Sequence, residues 1–207
     1  MPKPTRIPLF PLDTVLLPGM RMPLHIFEPR YKTMIGRCLR EEIEFGLILA
    51  ASKAIATLGC TAEIVDKTKD YPDGRMDILT EGRAIFRLNE LIDEKEYYEG
   101  DVEYIDDEPS TLDAQTERQL TDTFEQCHAL LFGRPWVDAD RKQSGPLSYH
   151  MAGILPMELA KRQALLETRS ESDRRGIVLH WMAEFLPKLE AVQRARRIAG
   201  GNGHGPN

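Results

Sequence analysis

The stretch IPLFPLDTVLLPGMRMPLHIFEPRYKTMI, residues 7–35, decides the fold of this 207-residue chain. It opens with a short apolar run at 7–12 and passes a Pro-Gly turn at 18–19 into PLHIF at 23–27. The alternation of side chains in PLHIF predicts a strand. Beyond it, Pro29 suits the first position of a helix, and apolar residues then recur every three or four positions. The stretch therefore predicts two strands followed by one helix.

Further strands are predicted up to about residue 108, because short apolar or alternating runs are separated by turn residues. YPDG at 71–74 predicts a tight turn between two of them, since proline presets φ and glycine accepts a positive φ. The runs that flank this turn are expected to form a hairpin. The predicted strands are FGLILAA (45–51), TLGCTAEIVD (57–66), RMDILTEG (75–82), AIFRLNEL (84–91) and YYEGDVEYI (97–105).

From residue 110 onward the apolar residues recur with the helical period of 3.6, and helical blocks begin near Ser110, Leu147 and Ser170. The stretch GRPWVDADRKQSGP at 133–146 contains two prolines and two glycines and predicts a loop or hinge. Pro187 falls inside the last helical block. That helix is expected to kink or break there, because proline removes a backbone donor.

The change of period predicts an α+β protein in two parts. Residues 1–109 are expected to form a β-rich subdomain with one inserted helix, and residues 110–199 a helical subdomain. The ending GGNGHGPN, residues 200–207, is too polar and too rich in glycine to order and is predicted to be a disordered tail.

The composition is that of a soluble globular protein, with 42% hydrophobic and 29% charged residues. No apolar run approaches the roughly 18 residues of a membrane span, and the start has no signal-peptide core. We therefore expect a cytoplasmic protein with no membrane contact. Residues 1–109 contain 14 Lys and Arg against 21 Asp and Glu, a net charge of −7, which argues against nucleic acid as a partner.

The acidic run NELIDEKEYYEGDVEYIDDE, residues 89–108, allows two interpretations. It is either a solvated edge strand that charge protects from pairing, or a docking surface for a basic partner.

No motif in the chain predicts catalysis, a cofactor or a metal ion. The patterns GxxxxGK[ST], GxGxxG, HExxH and GxSxG are absent, and the five histidines are scattered. Three cysteines, at 38, 60 and 127, form no disulfide framework and no zinc pair. Cys38 and Cys60 are predicted to be buried, and Cys127 and His128 are not expected to act as a catalytic pair, since neighbours on a helix point apart.

The opening segment is the predicted binding surface. Prolines 18, 23 and 29 remove backbone donors, so this stretch cannot pair fully as a central strand. In PLHIF, Leu24 and Ile26 are the expected core residues, which turns His25 and Phe27 outward. An alternative remains open, in which Met20, Met22 and Phe27 are core residues and Phe27 and Tyr31 close the barrel end. The candidate protein- or peptide-binding residues are Met20, Met22, His25, Phe27, Arg30 and Tyr31.

The order of these motifs resembles the N-terminal domain of the ATP-dependent protease La (Lon) family. Besides the opening stretch, the similar segments are GCTAEIV (59–65), PDGRMDILTEGRAIFRL (72–88), LSYHMAGILPMELAKRQALLET (147–168) and the helix ending in RARRI (194–198). Together they cover roughly residues 6–198. Each motif alone is weakly specific, and their order along the chain carries the resemblance.

The resemblance implies a PUA-like mixed β-pseudobarrel followed by a C-terminal helical bundle. It also implies a stand-alone substrate-recognition domain, without the ATPase and Ser-Lys peptidase of Lon and so not an enzyme, that binds unfolded polypeptide or a protein partner. Two alternatives stay open: a PUA-like protein that binds nucleic acid, and an enzyme that acts on a small molecule in the barrel mouth. The oligomeric state is not predicted.

Overall fold

The computed structural model describes residues 3–51, 54–111, 113–137 and 145–201. Within the chain, two compact units separate. The first comprises Met1–Glu108 with Gln143–Arg169, and the second comprises Pro109–Lys142 with Ser170–Asn207.

Six strands and five helices make up the described residues. The strands are β1 (Arg6–Leu12), β2 (Arg21–Ile26), β3 (Phe45–Ala51), β4 (Ala54–Asp70), β5 (Met76–Ile92) and β6 (Glu99–Ile105). The helices are α1 (Pro29–Glu41), α2 (Ala114–Phe132), α3 (Leu147–Ile154), α4 (Leu159–Glu167) and α5 (Glu171–Gly201).

The strands form one mixed sheet in the order β2-β5-β4-β3-β1-β6, in which β1 and β3 are parallel and the other pairs antiparallel. Because β6 also pairs with β5, the pairings of five strands close on themselves. This confirms the α+β fold with a mixed β-pseudobarrel. It also corrects one interpretation of the acidic run, since β6 is paired on both sides and is not an edge strand.

A small apolar cluster fills the inside of this ring. Phe86 from β5 packs with buried side chains of β1, β3 and β6, which are Ile7, Leu9, Ile48 and Val102. Glycines on the facing strands leave room for its ring. A Cβ on Gly46 would approach Phe86 Cζ to 2.8 Å, and a Cβ on Gly59 would overlap the same atom.

Helix α1 begins at Pro29, as predicted, and packs by its apolar stripe. Tyr31, Met34, Ile35 and Cys38 are buried. The Tyr31 ring lies 4.0 Å, centroid to centroid, from Phe10 of β1. This contact fixes the start of the helix against the strands.

A buried carboxylate joins α1 to two strands. Glu99 of β6 accepts from Arg6 Nε of β1 at 3.0 Å, from Arg37 Nη1 of α1 at 2.9 Å and from Lys95 Nζ at 2.8 Å. Burial raises the pKa of Glu99, but the hydrogen bonds from Lys95, Arg6 and Arg37 outweigh burial and leave the pKa below its usual value. Glu99 is therefore ionised in the folded protein.

We expect Glu99→Gln to lower the free energy of unfolding by about 1–3 kcal/mol at pH 7, because three charge-assisted hydrogen bonds are weakened. The folded-state pKa of Glu99 is depressed, so its contribution is present above the unfolded pKa of about 4.3 and is lost as the pH falls below it. Urea unfolding of both proteins at pH 7 and pH 3 checks this. An equal difference at the two pH values would contradict the assignment.

Helices α3 and α4 belong to the first unit, which differs from the predicted single helical subdomain at 110–199. Gln163 Nε2 of α4 donates to Leu58 O of β4 at 3.3 Å, and Glu108 N donates to Arg169 O at 3.0 Å. A helical period identifies a helix but not the surface that receives its apolar face. The boundary predicted at residue 110 therefore assigned residues 143–169 to the helical subdomain, whereas they belong to the first unit.

The second unit pairs α2 with α5. Arg175 Nη1 contacts Glu117 Oε2 at 3.3 Å, and Gln193 Nε2 donates to Leu130 O at 2.9 Å. Helix α5 continues through Pro187, so the predicted break does not occur. The helix extends to Gly201, into the predicted tail 200–207, whose remaining residues lie outside the described part. Half of the predicted loop at 133–146 also lies outside it.

Candidate functional site

The outward face of β2 carries the candidate site. Met22 and Ile26 are buried and Leu24 is half-buried, whereas His25 is exposed, as is Phe27 just past the strand end. This alternation is what PLHIF predicted. Phe27 is 57% exposed.

Three rings lie together on this face. His25 stacks against Phe27, with ring centroids 5.9 Å apart and planes inclined by 23°. Tyr71 supplies the third ring. Its plane is perpendicular to the imidazole of His25, and the two ring centroids lie 5.6 Å apart. We call His25, Phe27 and Tyr71 the aromatic patch.

Tyr71 was not predicted from the sequence. It sits at the tight turn between β4 and β5, where Tyr71 N donates to Arg75 O at 3.0 Å and Gly74 N donates to Tyr71 O at 2.9 Å. Gly74 has a φ of 79°, as the YPDG motif predicted. The antiparallel register that sets His25 opposite Asp77 brings the turn to β2. No local pattern in the sequence predicts this register, because the two segments are far apart along the chain.

One carboxylate holds two of the rings. Asp77 pairs with His25 Nδ1 and accepts from Tyr71 Oη at 2.8 Å. The hydrogen bond from His25, and next that from Tyr71, lower the pKa of Asp77 below its usual value. Asp77 therefore stays ionised and keeps the patch in one arrangement.

Cations surround the patch. Lys69 Nζ lies 4.6 Å and the Arg75 guanidinium 4.9 Å from the centre of the Tyr71 ring. At the start of α1 the Arg30 guanidinium covers Tyr31 at 4.5 Å, and it also pairs with Glu28 at 2.8 Å. Arg75 also donates to Asp73 at 2.7 Å, so two of these three cations are paired with carboxylates, and Lys69 lies beside the Tyr71 ring.

The six predicted residues divide into two groups. His25, Phe27 and Arg30 are exposed around β2 and the start of α1, and Met20 is half-buried against Gly153 of α3. Met22 and Tyr31 are buried, as the alternative interpretation expected for them. The side chain of Met22 lies on the same buried face of β2 as that of Ile26, and Tyr31 is the first of the buried residues of α1. Phe27, in contrast, does not close the barrel end.

The cysteines are buried in the described residues, as predicted for Cys38 and Cys60. Burial raises the pKa of the Cys38 thiol to about 12 and that of Cys127 to about 11. Both shifts oppose thiolate formation. His128 Nδ1 contacts the carbonyl of Arg134 at 3.1 Å. Within the described ranges, no three His, Cys, Asp or Glu side chains gather as a metal site would require. The same ranges contain no helix that combines the length and apolarity of a membrane span.

A cleft of about 420 Å³ opens between the N-terminal segment and the α1–β3 turn. Ile7, Ile43, Ala84 and Tyr104 give it apolar walls. Two cations, Lys3 and Arg83, also line it, and Arg83 donates to Glu63 at 2.6 Å and to Glu81 at 2.6 Å. The guanidinium of Arg83 is therefore already bonded to two carboxylates.

The fold and the site define an α+β pseudobarrel protein with an aromatic patch beside β2. Comparison with known families identifies it further. The family described as the ATP-dependent protease La (LON) substrate-binding domain matches residues 6–184, and the chain belongs to this family.

Similar proteins agree with this assignment. The chain is 27% identical to Lon protease of Escherichia coli strain K12 over 215 residues, which cover 92% of the chain and 26% of that protein. It is 26% identical to Lon protease 1 of Hydrogenovibrio crunogenus, over 88% of the chain and 24% of the relative. The chain thus spans about a quarter of the length of these relatives.

Two solved structures are similar. A Lon N-terminal domain protein from Xanthomonas campestris has a TM-score of 0.68 at 27% identity, covering 86% of this chain and 99% of that one. The N-terminal domain of a Mycobacterium avium complex Lon protease has a TM-score of 0.62 at 16% identity, covering 86% and 98%, and shares the fold.

Proposed function

We propose that this chain recognises polypeptide, and that it holds apolar segments of unfolded protein on the aromatic patch. The observation that carries the proposal is the exposure of Phe27, stacked on a histidine that Asp77 holds in place. Membership of a substrate-binding domain family supports it.

The patch is suited to binding because it is already ordered. A free aromatic side chain loses rotamer freedom when a ligand immobilises it, at a cost of roughly 0.5–1.5 kcal/mol. Here the Asp77 carboxylate holds His25 and Tyr71, and His25 supports Phe27. Binding therefore requires little further ordering of these rings.

The chemistry of the patch selects a class of segment. Ring faces favour aromatic and aliphatic side chains, and Lys69 beside Tyr71 favours an acidic residue next to them. We propose apolar segments with acidic neighbours as ligands, bound without catalysis and without a cofactor in the cytoplasm.

The other two functions have less support. The β-rich part of the sequence carries a net charge of −7, which opposes the phosphate backbone of a nucleic acid. In the cleft beside Tyr104, the Arg83 guanidinium is already bonded to Glu63 and Glu81, which weakens the case for small-molecule chemistry there. Both remain weaker proposals than polypeptide recognition.

Phe27→Ala is expected to weaken binding of an unfolded protein by about 10- to 100-fold, as truncation of a central aromatic contact does. The probe is fluorescein-labelled, reduced and carboxymethylated α-lactalbumin, which cannot refold, and the measurement is fluorescence anisotropy. Because Phe27 is exposed, the free energy of unfolding should change by no more than about 0.5 kcal/mol.

Phe132→Ala provides the matched control. Phe132 on α2 is 52% exposed, close to Phe27, but belongs to the second unit. Its truncation should leave the affinity unchanged. The proposal is wrong if both variants bind like the wild type, or if both lose affinity equally.

A further inference from the structure

The outer edge of β2 has backbone groups without strand partners. Among the described strands, β2 pairs with β5 alone. Just before β2, Gly82 N of β5 donates to Met20 O at 3.0 Å, so the backbone carbonyl of Met20 points toward β5. The direction of backbone hydrogen bonding alternates along an antiparallel strand. The backbone groups of Met22, Leu24 and Ile26 therefore point toward β5.

Pro23 agrees with this parity. Proline has no N–H and fits an edge strand where that position would face away from the ladder. Arg21 and His25 share the parity of Pro23. Their N–H groups, and the carbonyl groups of all three residues, therefore point to the free edge.

The spacing of these groups fits one kind of occupant. Residues two apart on a strand are separated by roughly 6.6–6.8 Å, and donors and acceptors at this spacing are matched by the backbone of another extended chain. The side chain of Leu24 lies on the same face of β2 as those of Met22 and Ile26, but it is only half-buried, whereas they are buried. An apolar side chain on an added strand would cover it.

We infer that the bound polypeptide adds as an extended strand along the β2 edge, bonding to the backbone of Arg21, Pro23 and His25. This inference rests on the proposed function and specifies how the ligand is held. Side chains on the outer face of the added strand reach the aromatic patch, and those on the inner face cover Leu24.

Amide hydrogen exchange, measured by NMR on the full chain, tests this mode. The probe is a capped eight-residue peptide that alternates valine and threonine around a central phenylalanine. Peptide binding should slow exchange at the Arg21 and His25 amides by at least about 10-fold. The Met22, Leu24 and Ile26 amides, already bonded to β5, should change less.

A matched pair of variants isolates the backbone donor. His25→Ala and His25→Pro both lose the imidazole, but His25→Pro also loses the outward N–H and leaves the inward ladder intact. His25→Pro should bind the peptide about 10-fold more weakly than His25→Ala, the effect of one lost hydrogen bond. If His25→Pro does not fold, the same comparison is made with a peptide N-methylated at alternate residues, which should bind at least about 10-fold more weakly than the unmodified peptide.

The possible failures separate the two proposals. Peptide binding without protection of Arg21 and His25, or with equal affinity for the two variants or the two peptides, overturns strand addition and leaves recognition by the patch intact. Absence of peptide and α-lactalbumin binding to the wild type overturns both. Protection of the two amides that rises with protein concentration, without peptide, shows that a second copy occupies the edge and overturns the inference.

Discussion

Phe86→Ala should lower the free energy of unfolding by about 3–5 kcal/mol, the cost of removing a buried phenylalanine from a core that cannot collapse. Phe86 is fully buried at the centre of the strand ring, among Ile7, Leu9, Ile48 and Val102. Gly46 and Gly59 face it without side chains to move into the space. Chemical denaturation of both proteins measures the difference.

Phe27→Ala serves as the control for the same side-chain deletion at an exposed position. Its free energy of unfolding should stay within about 0.5 kcal/mol of the wild type. A loss below about 1 kcal/mol for Phe86→Ala would show that the ring is not packed as described.

Gly82→Ala is expected to cost at least about 3 kcal/mol, at or beyond the upper end for overpacking, because a Cβ there would overlap the backbone carbonyl of Leu17. Two hydrogen bonds hold the turn before β2 at this distance from β5: Gly19 N donates to Gly82 O at 2.8 Å, and Gly82 N donates to Met20 O at 3.0 Å. A backbone atom cannot rotate away as a flexible side chain does. The melting temperature and the denaturant midpoint should both fall.

Gly176→Ala is the matched control. A Cβ on Gly176, inside α5, meets nothing within 4 Å. This substitution should leave stability unchanged or raise it by up to about 1 kcal/mol, since alanine favours a helix. Equal losses in the two variants would contradict the close approach of Leu17 to Gly82.

Local patterns predicted the fold where the physical cause is local. The alternation in PLHIF turned His25 and Phe27 outward, and Pro29 started α1, because side-chain direction follows from backbone geometry within a few residues. YPDG placed the turn through the φ preference of Gly74. The pseudobarrel came from the family resemblance, since the strand runs do not state which strands pair.

What the sequence did not predict depends on distant contacts. Tyr71 joins the patch through the pairing of His25 with Asp77, which no local pattern encodes. Likewise α3 and α4 were recognised as helices, but their place in the first unit depends on contacts such as Gln163 with Leu58. Pro187 was expected to kink or break the last helix, and the structure shows that the helix continues through it without a break.

The site prediction was partly local as well. His25, Phe27 and Arg30 are exposed, whereas Met22 and Tyr31 belong to the core. Parity along PLHIF extends back to Met22 and places it inward. Tyr31 follows the helical period of α1, so the same rules, applied consistently, assign it to the buried stripe.

NMR titration of the wild-type protein with unlabelled, reduced and carboxymethylated α-lactalbumin tests whether unfolded polypeptide binds at the aromatic patch. Side-chain resonances of His25, Phe27 and Tyr71 report on the patch, and those of Tyr104 and Phe132 report on other surfaces. We expect saturable shifts or broadening of the His25, Phe27 and Tyr71 resonances and little change at Tyr104 and Phe132. Binding that perturbs Tyr104 or Phe132 and leaves the aromatic patch unchanged would contradict this expectation.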